Sequence, residues 1–177
     1  PRPEGFEKTK VNTLGMLGAG MMGSGIALVS DRSGMNVVLL DSTEEQAAKG
    51  KQYTEKFLEK RVKKGKMTPE AAAEVLDRIT VTTDFNDLTE CDLIIEAVFE
   101  NREIKADVTQ KTEAVISEET VFASNTSTLP ITGLAESSSR PEGFIGMHFF
   151  SPVERMPLVE IILGKETSDR ALAVAPD

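Results

Sequence analysis

The stretch Leu14-Gly-Met-Leu-Gly-Ala-Gly-Met-Met-Gly-Ser-Gly25 constrains the fold more than any other part of the chain. Gly18, Gly20 and Gly23 stand in a G-x-G-x-x-G pattern, preceded by an apolar run from Val11 and followed by Ile26-Ala-Leu-Val29. That order reads as strand, tight turn, helix, the context in which such a pattern binds a dinucleotide. Gly18 permits the sharp turn, Gly20 leaves room for a pyrophosphate, and Gly23 lets helix and strand pack closely. The run Gly18, Ala19, Gly20, Met21, Met22, Gly23 then lines the phosphate site. Unpaired N–H groups at the start of the helix face the anion. Glycine-rich turns also serve packing alone, so the pattern needs a second signal.

That signal comes one strand later. Val37-Val-Leu-Leu40 is a short apolar run with β-branched residues, and it ends at Asp41. An acidic residue about 20 positions past the glycines suits the ribose 2′-hydroxyl. It also repels a 2′-phosphate, which favours NAD over NADP. The plainer role for Asp41 is helix capping, since Asp-Ser-Thr-Glu-Glu is a good helix start.

Apolar runs alternate with longer helical patterns, the mark of a parallel sheet covered by helices. Strands are expected near 12–17, 37–41, 79–82, 92–97, 120–124, 144–148 and 158–163, and helices near 21–33, 43–64, 68–77, 101–117 and 130–136. The fold class is therefore α/β: a doubly wound, mostly parallel sheet of Rossmann type with an antiparallel C-terminal strand. Residues 43–78 hold two helices where a simple crossover needs one. Thr68-Pro-Glu-Ala opens the second with a cap and a proline in the first turn. This helical hairpin is expected to project from the sheet. Its tip, Lys60-Arg-Val-Lys-Lys-Gly-Lys66, is basic on an acidic chain and suits a phosphate-bearing ligand. The alternative is a solvated face with cations near a helix C-terminus.

A formal charge of -9 argues against general nucleic-acid binding. The longest apolar runs, such as Asp92-Leu-Ile-Ile-Glu-Ala-Val-Phe99, are too short and interrupted to span a bilayer. Cys91 is the only cysteine, so no internal disulfide forms, and it reads as a small apolar residue entering a strand. Pro1 to Lys10 reads as an interdomain linker, 11–165 as the sheet domain, and 166–177 as a short helical stub without a partner, the start of a connection onward. Without a targeting segment the default compartment is the cytoplasm, with mitochondrial matrix or peroxisome as alternatives.

Two polar clusters stand at strand ends, where ligands bind in open α/β sheets. Ala123-Ser-Asn-Thr-Ser-Thr128 follows one apolar run, and His148, the only histidine, follows Phe144-Ile-Gly-Met147. Glu160 lies on Leu158-Val-Glu-Ile-Ile-Leu163, which a hairpin can return beside His148. A buried carboxylate beside an imidazole raises its basicity and fixes its tautomer, as a general base for alcohol oxidation needs. Ser127 is placed to hydrogen-bond a substrate oxygen; as a plain turn-former it would be equally at home. The alternative for His148 is a ring satisfied by a carbonyl, with Glu160 facing solvent.

The chain resembles the NAD-binding domain of 3-hydroxyacyl-CoA dehydrogenases from Val11 to Leu163. The resemblance rests on Leu17-Gly-Ala-Gly-Met-Met-Gly-Ser-Gly-Ile-Ala27, Ile95-Glu-Ala-Val-Phe-Glu-Asn101, Phe122-Ala-Ser-Asn-Thr-Ser127 and Gly146-Met-His-Phe-Phe-Ser-Pro152. The His-Phe-Phe-Ser-Pro form is most similar to multifunctional fatty-acid-oxidation α-subunits, in which an enoyl-CoA hydratase domain comes first. The resemblance implies oxidation of (S)-3-hydroxyacyl-CoA to 3-ketoacyl-CoA with NAD. It implies His148 as catalytic base, Glu160 as its partner, and Ser127 as a contact to substrate and cofactor. It puts Glu100 and Lys105 near the nicotinamide, where residues alone suggest an exposed charge pair at a helix start. Lys64 on the hairpin becomes a contact for the CoA portion. Ser151, where single-function relatives often carry Asn, is counted with the cofactor contacts.

The resemblance further implies a helical C-terminal domain that closes over the acyl-CoA and forms the dimer contact of an oligomeric parent. These residues alone are then expected to bind NAD and turn over poorly. No metal is expected, since no ligand cluster is present and hydride transfer needs none. A different class remains: a non-catalytic NAD-sensing or oligomerising module, which has no need of the His148, Glu160 and Ser127 set. A β-hydroxyacid dehydrogenase with a lysine base lacks its lysine here, and a methyltransferase fits Gly23 and Asp41 less well.

Overall fold

All seven expected strands form, each within one residue of its expected bounds, in the computed structural model, which describes residues 2–177. They are β1 (Thr13–Leu17), β2 (Asn36–Leu40), β3 (Ile79–Thr82), β4 (Leu93–Glu96), β5 (Val121–Ser124), β6 (Phe144–Phe149) and β7 (Val159–Ile162). They build one sheet in the order β3-β2-β1-β4-β5-β6-β7, parallel throughout except for the antiparallel β6–β7 pair. The chain reverses its direction of winding between β1 and β4, and this switch opens a crevice beyond the carboxyl ends of the strands. Alternation along the strands feeds two cores. Met16, Leu39, Ile95 and Ile145 pack on one face, and Leu17, Leu40, Ile94, Phe122 and Phe144 on the other. The Phe122 and Phe144 rings stack with centroids 5.2 Å apart.

The helices are α1 (Met21–Arg32), α2 (Glu44–Lys63), α3 (Pro69–Asp77), α4 (Arg102–Glu113), α5 (Ile131–Ala135) and α6 (Asp169–Val174). Side-chain caps start four of them. Thr43, Thr68, Asn101 and Ser168 each accept a first-turn amide of α2, α3, α4 and α6. Among the described residues no helix is long and apolar enough to cross a membrane. Cys91 is buried, and burial, then the charges of Asp92 and Glu90, push its thiol up to about 12. It serves as a small apolar residue, as expected.

Three expectations change. Helix α4 stops at Glu113 rather than 117, because Ile116 turns into the core and the Glu113 carboxylate accepts the Ser139 amide at 2.7 Å. The hairpin of α2 and α3 does not project along its whole length. Ala47, Gly50, Thr54 and Leu58 are buried and α2 lies against α1; only the end from Glu59 to Lys66 is largely in solvent. The C-terminal stub has a partner. Ala171, Val174 and Ala175 enter the core, and the Asp177 carboxylate accepts the Thr9 amide at 2.6 Å and pairs with Arg2. Ala171, Ala173, Val174 and Ala175 are small and apolar, so the six-residue α6 and the residue after it suffice to bury them.

Asp31, buried in the last turn of α1, accepts Arg78 Nε at 2.9 Å through one oxygen while the other has no hydrogen-bond partner among the described residues. Burial raises its carboxyl to about 6 against the opposing pull of Arg78 and Lys51. A raised folded value means that this group favours folding below the unfolded value of 3.8 and that its contribution is lost as pH rises through about 6. Asp31→Asn is expected to flatten the change in stability across that window, by roughly 2 kcal/mol. Urea unfolding at pH 4 and pH 7 measures it, and identical pH dependence in both proteins would refute it.

Candidate functional site

The glycine turn follows β1 at the crevice. Gly18 has φ +94, and a Cβ there would sit 2.7 Å from the Ala97 carbonyl oxygen. A Cβ on Gly23 would lie 1.8 Å from the Gly18 oxygen, so α1 reaches the turn only because Gly23 has no side chain. A Cβ on Gly20 meets nothing within 4 Å and points into open space. No side chain caps α1 at Gly20, which leaves its first amides free for an anion. The Asp41 carboxylate accepts the Ala19 amide at 2.7 Å and the Ser42 amide at 2.6 Å. The α2 cap is Thr43, so Asp41 is not the helix cap that its sequence context allowed. A carboxylate has lone pairs to spare after two such bonds. The turn, Asp41, Ser42, Val98, Phe99 and Ile104 line a cleft of about 900 Å³. A free helix N-terminus, an open approach over Gly20 and an acidic residue on the cleft wall fit a dinucleotide. Met21 and Met22 follow at the start of α1, with Met21 largely in solvent.

Beyond β4 and β5 a second cluster forms. Lys105, on α4, is 1% exposed, with Nζ 2.7 Å from Glu96 Oε1 and 3.3 Å from Glu100 Oε2. The exposed charge pair that the residues alone suggested is therefore half wrong. Lys105 faces inward because β4 ends in a buried glutamate that needs a cation. Glu100 Oε1 accepts the Ser127 amide at 3.2 Å and the Thr128 amide at 3.4 Å, together with the Thr126 hydroxyl. Burial alone would raise the Glu100 carboxyl, but the Thr126 hydroxyl, the Lys105 ammonium and the Thr128 amide hold it below the ordinary carboxylate value. Ser127 itself is exposed at the head of this loop.

His148 and Glu160 are cross-strand partners in the β6–β7 register, and His148 Nδ1 lies 2.9 Å from Glu160 Oε2. The hairpin does what the spacing allowed. The carboxylate is not buried, however: the Glu160 side chain is 55% exposed and that of His148 19%. Among the described residues edge strand β7 has no strand on its far side, which leaves Glu160 in solvent. The Phe150 ring sits 4.7 Å from the imidazole, centroid to centroid.

Two contacts join the clusters. Asn125 Oδ1 accepts the Phe149 amide at 3.0 Å, tying the Ser127 loop to the end of β6. The Ser151 hydroxyl lies 3.8 Å from Met21 Sδ, tying the segment after His148 to the start of α1. The glycine turn, Ser127, Ser151 and His148 thus share the carboxyl edge of the sheet. Lys64 is not part of this assembly; it caps α2 at the exposed hairpin tip with Lys60, Lys63 and Lys66 around it. Sequence reasoning missed Glu96, Ser124 and Asn125. A charged residue inside the apolar run Leu93-Ile-Ile-Glu96-Ala-Val was the available signal, because a buried carboxylate demands a partner.

Residues 13–177 match the family described as 3-hydroxyacyl-CoA dehydrogenase, NAD binding domain. The chain is 45% identical over 164 residues to a fatty acid oxidation complex subunit alpha of Psychrobacter arcticus, covering 93% of this chain and 23% of that protein. The crystal structure of an (S)-3-hydroxybutyryl-CoA dehydrogenase from Ralstonia eutropha superposes with a TM-score of 0.88 at 41% identity, covering 92% of this chain and 57% of the other. That of 3-hydroxybutyryl-CoA dehydrogenase from Escherichia coli gives 0.88 at 34%, covering 93% and 35%. The chain thus spans well under two thirds of each of these relatives. It belongs to the 3-hydroxyacyl-CoA dehydrogenase family, as an NAD-binding domain with NAD as its cofactor.

Proposed function

We propose that the protein oxidises an (S)-3-hydroxyacyl-CoA to the 3-ketoacyl-CoA with NAD, a step of fatty acid β-oxidation. The observation that carries this is the 2.9 Å contact between His148 Nδ1 and Glu160. A carboxylate can only accept, so Nδ1–H donates to it and the neutral ring keeps Nε2 unprotonated, ready to act as a base. His148 Nε2 takes the proton of the substrate hydroxyl, and the negative charge of Glu160 stabilises the imidazolium that forms. The Ser127 hydroxyl holds the substrate oxygen in line, on a loop pinned through its amide by Glu100. When bound, NAD supplies the acceptor for the hydride that leaves C3. The amides from Ala19 to Gly23 would hold its pyrophosphate, Asp41 its ribose, and Glu100 and Ser151 the nicotinamide end, with Lys105 acting on that end through Glu100. The names of the relatives at 34–45% identity support this reading.

The exposed lysines of the hairpin tip, Lys64 among them, would meet the CoA phosphates. We further propose that residues 11–165 work inside a longer, multifunctional, oligomeric and cytoplasmic parent. Residues 1–10 would link to an enoyl-CoA hydratase domain and 166–177 to a helical domain that covers the acyl-CoA. Supporting this, the chain matches 23% of a fatty acid oxidation complex subunit alpha.

His148→Ala in the full-length protein is expected to lower turnover of 3-hydroxybutyryl-CoA by roughly a thousandfold while NAD binding persists. NADH formation and a binding titration measure this, and unchanged turnover would sink the role of His148. Asp41→Ala removes a ribose acceptor and the anchor of the Ala19 amide. Its KM for NAD is expected to rise roughly tenfold or more while NADP gains relative to NAD. An unaltered NAD/NADP ratio of kcat/KM would count against a ribose contact there.

A further inference from the structure

Glu96 has no part in the chemistry above, yet its surroundings are tightly specified. It ends β4 with a side chain 1% exposed. Its Oε1 accepts Lys105 Nζ at 2.7 Å and the Val98 amide at 2.8 Å, while Oε2 accepts the Ser124 hydroxyl at 2.7 Å. The Glu96 carbonyl also accepts the Asn125 amide at 2.7 Å. Two arms therefore leave this one residue. The first runs through Lys105 to Glu100, 3.3 Å away, and from Glu100 to the amides of Ser127 and Thr128. The second runs through Ser124 and Asn125 to the Phe149 amide, next to His148.

We infer that Glu96 is a positioning residue of the dehydrogenase. It sets the 125–128 loop, and with it the Ser127 hydroxyl and the end of β6, without touching substrate or cofactor. The functional half of this inference rests on the reading proposed above. The physical argument is that a carboxylate buried this deeply persists only with its charge paired and its lone pairs occupied. Here the donors come from α4, from β5 and from the turn after β4, so satisfying one carboxylate aligns three segments. Ser127 is exposed and contributes little packing of its own. Without the Glu96 side chain the loop keeps the hydrogen bond from the Asn125 amide to the residue-96 carbonyl, the Asn125–Phe149 bond and the Thr126–Glu100 contact. It loses the buried charge that fixes Lys105 and Ser124 beneath it, and a loop so loosened opens more readily.

The test uses the full-length protein. Glu96→Leu combined with Lys105→Met removes both buried charges, so no unpaired ion is left to prevent folding. Glu96→Gln is the conservative control, since its amide can accept from Lys105 and Val98 and donate to the Ser124 oxygen. Amide hydrogen exchange without cofactor or substrate is read on peptides spanning 125–130. The double variant is expected to exchange about tenfold or more faster there while β1 keeps its protection, and Glu96→Gln to stay within about threefold of wild type. Wild-type exchange at 125–130 in the double variant would overturn the inference.

At saturating NAD, the double variant is expected to lower kcat about tenfold in the wild-type background and less than about twofold in a Ser127→Ala background. Equal losses in both backgrounds would overturn the positioning role. If His148→Ala keeps its turnover, the dehydrogenase reading is what fails, and the exchange data still decide whether Glu96 holds the loop.

Discussion

The contact between Gly23 and the Gly18 carbonyl sets the rest of this structure in place. A side chain at Gly23 would overlap the turn, so only glycine allows the first turn of α1 to begin directly over the end of β1. From that approach follow the uncapped helix start, the reach of the Ala19 amide to Asp41, and the meeting of Met21 with Ser151. The last of these matters for the site as a whole. It ties the segment after His148, on the far half of the sheet, to the start of the first crossover. The glycine turn and the imidazole at the end of β6 are thereby held to one frame.

Most of the fold was legible because it depends on short-range pattern. Apolar runs bounded by caps and turns fix strands and helices locally, and seven strands came out within a residue of their observed ends. The pairing of His148 with Glu160 was legible for the same reason, since a two-stranded hairpin constrains which residues face each other. Burial was harder to read. Lys105 looks like any lysine at a helix start, and only the β4–α4 packing turns it towards Glu96. Glu160 was expected to be buried and is not, because the exposure of an edge strand depends on what lies beyond it in space. The C-terminal turn of helix misled in the other direction: Ala171 and Val174 carry too little hydrophobic signal to announce that they complete a core.

The charges of the site are divided between two environments. On the Asp41 side, the carboxylate is met by backbone amides and lies along an open cleft. On the Glu96 side, charge is met by charge and sealed from water. The first arrangement suits recognition, which needs vacant acceptor capacity. The second suits alignment, which needs none left over. The same residue chemistry performs both tasks, and depth in the protein decides which.

The antiparallel β6–β7 pair has an evolutionary consequence. Because His148 and Glu160 face each other through strand register, their alignment is inherited with the backbone rather than built from neighbouring side chains. The side chains of exposed Leu158 and Val159 take no part in that register, so replacing them leaves the pairing of His148 with Glu160 in place. A residue inserted within β7 that moves its pairing by one is a different matter. It shifts the reading frame of the ladder by one and sends the carboxylate to the opposite face of the sheet. In this hairpin, composition is permissive and parity is not.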